Sequence, residues 1–193
     1  MPAVPVVVFS DFACPFSYVT EAALRRLAEE VELEIDYRAF PLHPAPEPLP
    51  LDAGMAWAEA LRPLAESAGV EVRRPGYQSR TGKAHEAARL AEEKRLRDPM
   101  RAALFEAYFG ARLDIGRIDV LVDVGERVGL DRTELKVVLD IDRFTGAVER
   151  DRAVALRSGV RETPTLVVGA GASARALVGA QPYAALRDVM AGR

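Results

Sequence analysis

The chain has 193 residues, with 26 Lys and Arg against 29 Asp and Glu and a formal net charge of −3 at pH 7. That balance supplies no global field for nucleic acid or an anionic membrane surface, and no apolar run is long enough to cross a bilayer. A hydrophobic fraction of 49% beside 28% charged residues excludes large-scale disorder and fits one soluble domain, with or without an insertion.

Val4-Pro5-Val6-Val7-Val8-Phe9 is short, apolar and rich in β-branched residues, which predicts a buried strand. From Tyr18 onward, Leu24, Leu27 and Val31 recur at helical spacing among Arg and Glu, predicting an amphipathic helix. Cys14 lies between the two, with Pro15 at a first-turn position where a missing N–H costs nothing. The free N–H groups and the positive end of the helix dipole would face the sulfur. Cysteines so placed have pKa values of about 3.5 to 7.5, against about 8.5 for a free thiol, and the thiolate is the nucleophile. A reactive Cys14 is therefore expected, in preference to the small buried apolar residue that a lone cysteine often is.

Leu33 to Phe40 alternates apolar and polar residues, as a half-exposed strand does, and ends at Pro41. The prolines from Pro41 to Pro50 predict an extended connector. From about Asp52 to about Asp142 the pattern is nearly all helical. Asp98-Pro99 has the form of an N-cap followed by a first-position proline, and Asp131 and Asp142 are candidate starts of later helices. Leu104, Phe105, Tyr108 and Phe109 form a stripe best explained by packing. Thr165 to Gly169 predicts a third strand, Gly169 to Ser173 a hairpin turn, Arg175 to Val178 a fourth strand, and Gln181-Pro182 the opening of a last helix. Thr163-Pro164 precedes the third strand and leaves the Thr163 carbonyl and N–H free for an extended ligand.

Cys14 is the only cysteine, so no internal disulfide can form. With His43 and His85 it makes no zinc-ligand spacing, and no metal is expected. The opening Met1-Pro2-Ala3-Val4 has neither a basic lead nor a small-residue cleavage site, so a cytoplasmic location is the expectation.

Several motifs in order carry a resemblance. They are Asp11 to Tyr18, Phe40-Pro41-Leu42-His43-Pro44, Thr81 to Leu90 with Ala84-His85, Gly129-Leu130-Asp131, Gly159 to Thr165, and Val178-Gly179-Ala180-Gln181-Pro182. Together they resemble the DsbA-like branch of the thioredoxin superfamily, most closely its cytoplasmic FrnE-like group. The 2-hydroxychromene-2-carboxylate isomerase and kappa-class glutathione transferase group comes next. The resemblance spans almost the whole chain. It implies an α/β thioredoxin fold with an all-helical insertion between the second strand and a C-terminal helix-strand-strand-helix part. Residues 1–50 and 143–193 would form the thioredoxin-like domain and 51–142 the insertion. It also implies a cis Thr163-Pro164 bond facing the helix that starts at Cys14, with Cys14 as nucleophile. Pro15, Phe16, Thr163 and Pro164 would contact substrate, and His85 joins them through its family-like Ala-His segment. From its position alone His85 is better explained by helix packing, His43 by solvent exposure, and Tyr18, Trp57 and Tyr77 by packing.

The motif departs from the FrnE-like pattern at Ser17, which stands where those proteins carry a second cysteine. Pro15-Phe16-Ser17-Tyr18 matches the Pro-x-Ser-Tyr of the isomerase and transferase relatives instead. The leading expectation is a monothiol thiol–disulfide oxidoreductase. Cys14 and Ser17 would be its catalytic residues, with Ser17 donating a hydrogen bond to the sulfur and mixed disulfides resolved by an external thiol. The alternative is a glutathione-dependent isomerase or transferase, against which Gly179-Ala180-Gln181-Pro182 resembles the FrnE-like ending. A third reading is a non-catalytic binding protein on the same fold. No tightly bound cofactor is expected; glutathione or another low-molecular-weight thiol would be a co-substrate, and the partner a thiol or disulfide, small molecule or protein. Related proteins often form homodimers, but no patch in this sequence demonstrates one.

Overall fold

The computed structural model describes residues 3–49 and 57–192. Its centre is the β-branched run at the N-terminus, strand β1 (Val4–Ser10), in which Val6 and Val8 are buried. β1 pairs in parallel with β2 (Leu33–Ala39), Val4 opposite Leu33 and Ser10 opposite Ala39. Helix α1 (Pro15–Leu27) makes the crossover that a parallel pair requires. On its other side β1 pairs antiparallel with β3 (Thr165–Val168), which pairs antiparallel with β4 (Arg175–Val178), giving the order β2-β1-β3-β4. This is the α/β architecture that the motifs imply.

Three apolar clusters result among the described residues, the smallest made of Phe9, Phe40, Ala155 and Val160. On one face of the sheet, Val6, Val8, Leu166 and Val168 pack with Val19, Leu24 and Leu27 of α1, Leu61 of α2 (Trp57–Ala68) and Leu186 of α8 (Tyr183–Met190). The second core lies among α3 (Gly82–Glu93), α4 (Arg97–Phe105), α5 (Ile118–Arg127) and α6 (Arg132–Asp140). Phe12 and Tyr18, from either side of Cys14, reach into that second core. α7 (Thr145–Arg157) packs against β2 and α3. Phe12 packs on Phe105, and Tyr18 stacks on Phe105 and Phe109; burying each such ring contributes roughly 1.5–3 kcal/mol, so the turn around Cys14 is anchored in the helical layer.

A buried ion pair ties the two halves together. Arg101 of α4 donates from Nε to Glu21 Oε2 at 2.7 Å and from Nη2 to Glu21 Oε1 at 2.6 Å and Ser10 Oγ at 2.8 Å. The proline-rich loop after β2 is held by cations: Arg80 donates to the carbonyls of His43 and Glu47, and Arg152 to that of Pro41.

Helix starts differ in detail from the sequence reading. Asp131 caps α6, accepting from Glu134 N at 2.7 Å. α4, however, begins at Arg97 with Leu96 at the N-cap. Asp98 and Pro99 therefore sit inside the first turn, where N–H groups have no helical partner and a carboxylate suits the dipole. Asp142 takes a left-handed conformation (φ +56°) three residues before α7, and its carbonyl accepts from Thr145 N. The aromatic stripe is buried as expected, but Glu106–Gly110 form a π-helical turn that continues α4. The Glu106 carboxylate folds over Gly110, where a Cβ would lie 1.9 Å from Oε1, and accepts from Tyr18 Oη at 3.2 Å. The expected end of the connector at Pro50 and helical start near Asp52 lie outside the described residues. Among the described residues, no helix is long and apolar enough to cross a membrane.

Candidate active site

Cys14 is the N-cap of α1, its backbone extended (φ −93°, ψ 115°) and Pro15 in the first helical turn. Its N–H closes a turn onto Asp11 O at 3.0 Å, and its carbonyl accepts from Tyr18 N. The sulfur lies against the loop before β3, with Cys14 Sγ donating to Thr163 O at 3.2 Å. The Thr163-Pro164 bond is cis, and Pro164 O accepts from Gly179 N at 2.8 Å. Residues 149 positions apart in sequence thus meet at one atom. Pro15, Phe16 and Thr163 are partly exposed around that contact, whereas Pro164 is buried.

Cys14 is 5% exposed, and burial pushes its thiol above the ordinary cysteine range. The nearby Thr163 hydroxyl and the Ser17 hydroxyl and N–H pull the other way, and the Asp11 carboxylate adds repulsion. This corrects the expectation of a depressed pKa: the helix-terminus donors are present, but desolvation of the charged form outweighs them. The resting group is a thiol that donates to a carbonyl. On ionisation that bond has no proton, and the Ser17 and Thr163 hydroxyls are the donors that remain. Thr163 Oγ1 is buried and makes no hydrogen bond of ordinary geometry. Ser17 Oγ accepts from Asp11 N at 3.4 Å, which leaves its own proton free for the sulfur.

Behind the turn lies a carboxylate that the sequence reading did not single out. Asp11, 1% exposed, accepts from Leu42 N at 2.8 Å and Ala13 N at 3.4 Å, and its Oδ1 lies 3.3 Å from His85 Nε2. Burial raises its pKa, yet the His85, Thr81 and Leu42 contacts together hold it below the usual carboxylate value. His85 is 2% exposed, and its ring centroid lies 4.7 Å from that of Phe12. The imidazole is thus buried against Phe12, and its hydrogen bond toward the Cys14 turn is the one to Asp11. The signal available in the sequence was an aspartate closing an apolar strand three residues before the cysteine.

The remaining candidates have other surroundings. His43 lines a cavity of about 330 Å³ with Pro41, Arg80, Lys83 and Arg152. Those cations are already engaged with loop carbonyls or with Glu86 and Asp142. Trp57 packs on the sheet-side core, while Tyr77 is 57% exposed and gives only its carbonyl, to Tyr108 Oη.

A sulfur at a helix N-terminus, facing a cis-proline loop on a β2-β1-β3-β4 sheet, defines a thioredoxin-fold protein. The model of the DSBA-like thioredoxin domain matches residues 5–191, and the chain belongs to that family. It is 29% identical to the uncharacterized protein YwbO of Bacillus subtilis over 175 residues, 86% of this chain and 87% of that one. Among solved structures, it resembles a probable DsbA oxidoreductase, SCO1869, of Streptomyces coelicolor (TM-score 0.81, 22% identity, 98% of this chain and 89% of that one). It also resembles a 2-hydroxychromene-2-carboxylate isomerase (TM-score 0.79, 20% identity, 97% and 95%). A third likeness is to the cytosolic disulfide reductase DsbM of Pseudomonas aeruginosa (TM-score 0.74, 18% identity, 98% and 100%), which has also been solved with GSH. At these identities the likeness to solved structures is one of fold.

Proposed function

We propose that this protein is a monothiol thiol–disulfide oxidoreductase in which Cys14 forms a mixed disulfide that an external thiol resolves. The observation that carries this reading is the 3.2 Å contact of Cys14 Sγ with Thr163 beside the cis-proline. The Thr163 carbonyl, expected to be free for a ligand, is held by the resting thiol, and a substrate disulfide that displaces this bond would meet the sulfur at the loop. Pro15, Phe16 and Thr163 frame that approach, and Pro164 fixes the loop.

The reaction runs in two exchanges. The Cys14 thiolate attacks one sulfur of R–S–S–R′; the S–S bond breaks, Cys14–S–S–R forms, and R′–S⁻ leaves and takes a proton. With Ser17 in place of a second cysteine, a thiolate R″–S⁻ from solution attacks the R sulfur. R–S–S–R″ departs and the Cys14 thiolate returns to the Ser17 and Thr163 hydroxyls. A low-molecular-weight thiol such as glutathione fits the role of R″, a choice supported by the GSH complex of DsbM, and a reducing cytoplasm suits the cycle. The test is disulfide exchange on a mixed-disulfide reporter in the presence of glutathione. Wild-type protein should accelerate it and Cys14→Ser should not; full activity in Cys14→Ser would reject the reading.

One observation favours a second reading. A buried thiol that stays protonated is a hydrogen-bond donor, and with Ser17 it suits holding an external thiolate, as a glutathione-dependent isomerase or transferase requires. In that case Cys14→Ser keeps activity, and turnover requires a saturating thiol cofactor without any covalent adduct on the protein.

A further inference from the structure

We propose that Asp11 and His85 are a positioning pair for Cys14: a buried carboxylate, steadied by the imidazole, that fixes the active-site turn and whose charge opposes a negative sulfur. The proposal rests on the reading of Cys14 as the working nucleophile. Asp11 holds the turn with nearly every polar atom it has. Its carbonyl takes the Cys14 N–H, its N–H occupies a lone pair of Ser17, and its carboxylate takes Ala13 N, Leu42 N and His85. Through Leu42 it fixes the loop after β2, and through His85 and Thr81 the start of α3. Moving Asp11 would therefore move the sulfur, its serine donor and the helical layer together.

The groups around the pair are defined. Asp11 faces Cys14 and Ser17 on α1, Thr81 and His85 at the start of α3, and Tyr108 in the π-helical turn. His85 faces Asp11 and the Phe12 ring, with Tyr37, Arg89, Glu92, Arg97 and Arg101 around the small cavity on its other side. Asp11 stays ionised, so a second negative charge on Cys14 is formed against it in a poorly solvated site. The chemical use follows from thiol exchange. A sulfur of higher pKa is the stronger nucleophile once ionised and the poorer leaving group. The first favours capture of the substrate disulfide; the second slows release, because Cys14 is the leaving group when the external thiol attacks, and so keeps the mixed disulfide intact until that thiol arrives.

The test is the rate of Cys14 alkylation by iodoacetamide against pH in wild type, Asp11→Asn and His85→Leu, which gives an ionisation midpoint and a high-pH plateau. Asp11→Asn should lower the midpoint by about half a pH unit or more, with the plateau within about twofold of wild type. His85→Leu should raise it, because the carboxylate loses a partner that offsets its charge. A merely structural role predicts something else: both variants loosen the turn, expose the thiol, raise the plateau and lower the midpoint together. That pattern, or a midpoint indifferent to Asp11→Asn, overturns the proposal. If Asp11→Asn does not fold, the direction of the His85→Leu shift decides alone, a rise supporting the pair and a fall or no change overturning it. Mixed-disulfide formation with glutathione disulfide is scored in parallel. A pair-dependent midpoint without any mixed disulfide keeps the pair and overturns the oxidoreductase reading; mixed disulfides with a midpoint blind to Asp11 do the reverse.

Discussion

Removing the Arg101 guanidinium should destabilise the fold more than any exposed ion-pair change, because the partner it leaves behind is sealed. Glu21 is 0% exposed and Arg101 5%, and the Glu21 carboxylate accepts from Arg101 twice and from Ser10 Oγ at 2.7 Å. The guanidinium carbon also lies 4.1 Å from the centre of the Tyr37 ring and 4.8 Å from that of Phe12. Arg101→Met keeps the volume and much of the ring contact but strands a buried carboxylate with one hydroxyl donor, a loss of about 3–5 kcal/mol. Urea unfolding should show this as a fall in midpoint with an unchanged slope. Glu21→Gln alone should cost a similar amount by stranding the cation, while the double variant should cost less than either single change, since neither charge is then unpaired. An Arg101→Met protein within about 1 kcal/mol of wild type, or a double variant equal to the sum of the singles, would refute the claim that this pair joins α1 to the helical layer.

Two further outcomes follow from the site. Ser17→Ala and Thr163→Val each remove a donor that pulls the Cys14 thiol down, so alkylation at pH 7.5 should slow by about tenfold or more in each, for a lost bond to a charged group of roughly 1.5–3 kcal/mol; a rate within twofold of wild type would dismiss these hydroxyls as thiolate donors. The pH dependence of thermal unfolding has a sign at each end. The Asp11 pKa is depressed in the fold, so its contribution is present above about pH 3.9 and lost as pH falls through the folded value, and Asp11→Asn should flatten the acid limb. The Cys14 pKa is raised, so its contribution is present below about pH 8.5 and lost as pH rises through the folded value, and Cys14→Ala should flatten the alkaline limb.

What the sequence made legible is what local chemistry decides. The β-branched run gave β1, the proline after Cys14 marked the entry to α1, and Asp131 capped α6 because an aspartate two or three residues ahead of free N–H groups needs no tertiary help. Asp98 shows the limit of that rule: α4 starts one residue earlier, at Arg97 with Leu96 as N-cap, and Arg97 donates to the Ile35 carbonyl on β2. The π-helical turn at Glu106–Gly110 begins at the residue whose carboxylate accepts from Tyr18, 88 positions away, a contact that local sequence cannot show. The same holds for the thiol. The helix-terminus donors can be inferred from Cys14-Pro15, but the sign of the pKa shift is set by burial of the sulfur, to which the Asp11 carboxylate adds and which the Thr163 and Ser17 hydroxyls oppose. His85 was visible as a residue and invisible as a partner of Asp11, because only the packing of α3 against the turn brings them together.

Intact-protein mass spectrometry after incubation with glutathione disulfide tests the account most directly, since everything rests on the sulfur beside Thr163 being chemically usable. One glutathione on Cys14, forming faster as pH rises towards 9 and removed by added thiol, is the expected result. A chain that remains unmodified across that range, while a cysteine peptide in the same tube is fully converted, would contradict it.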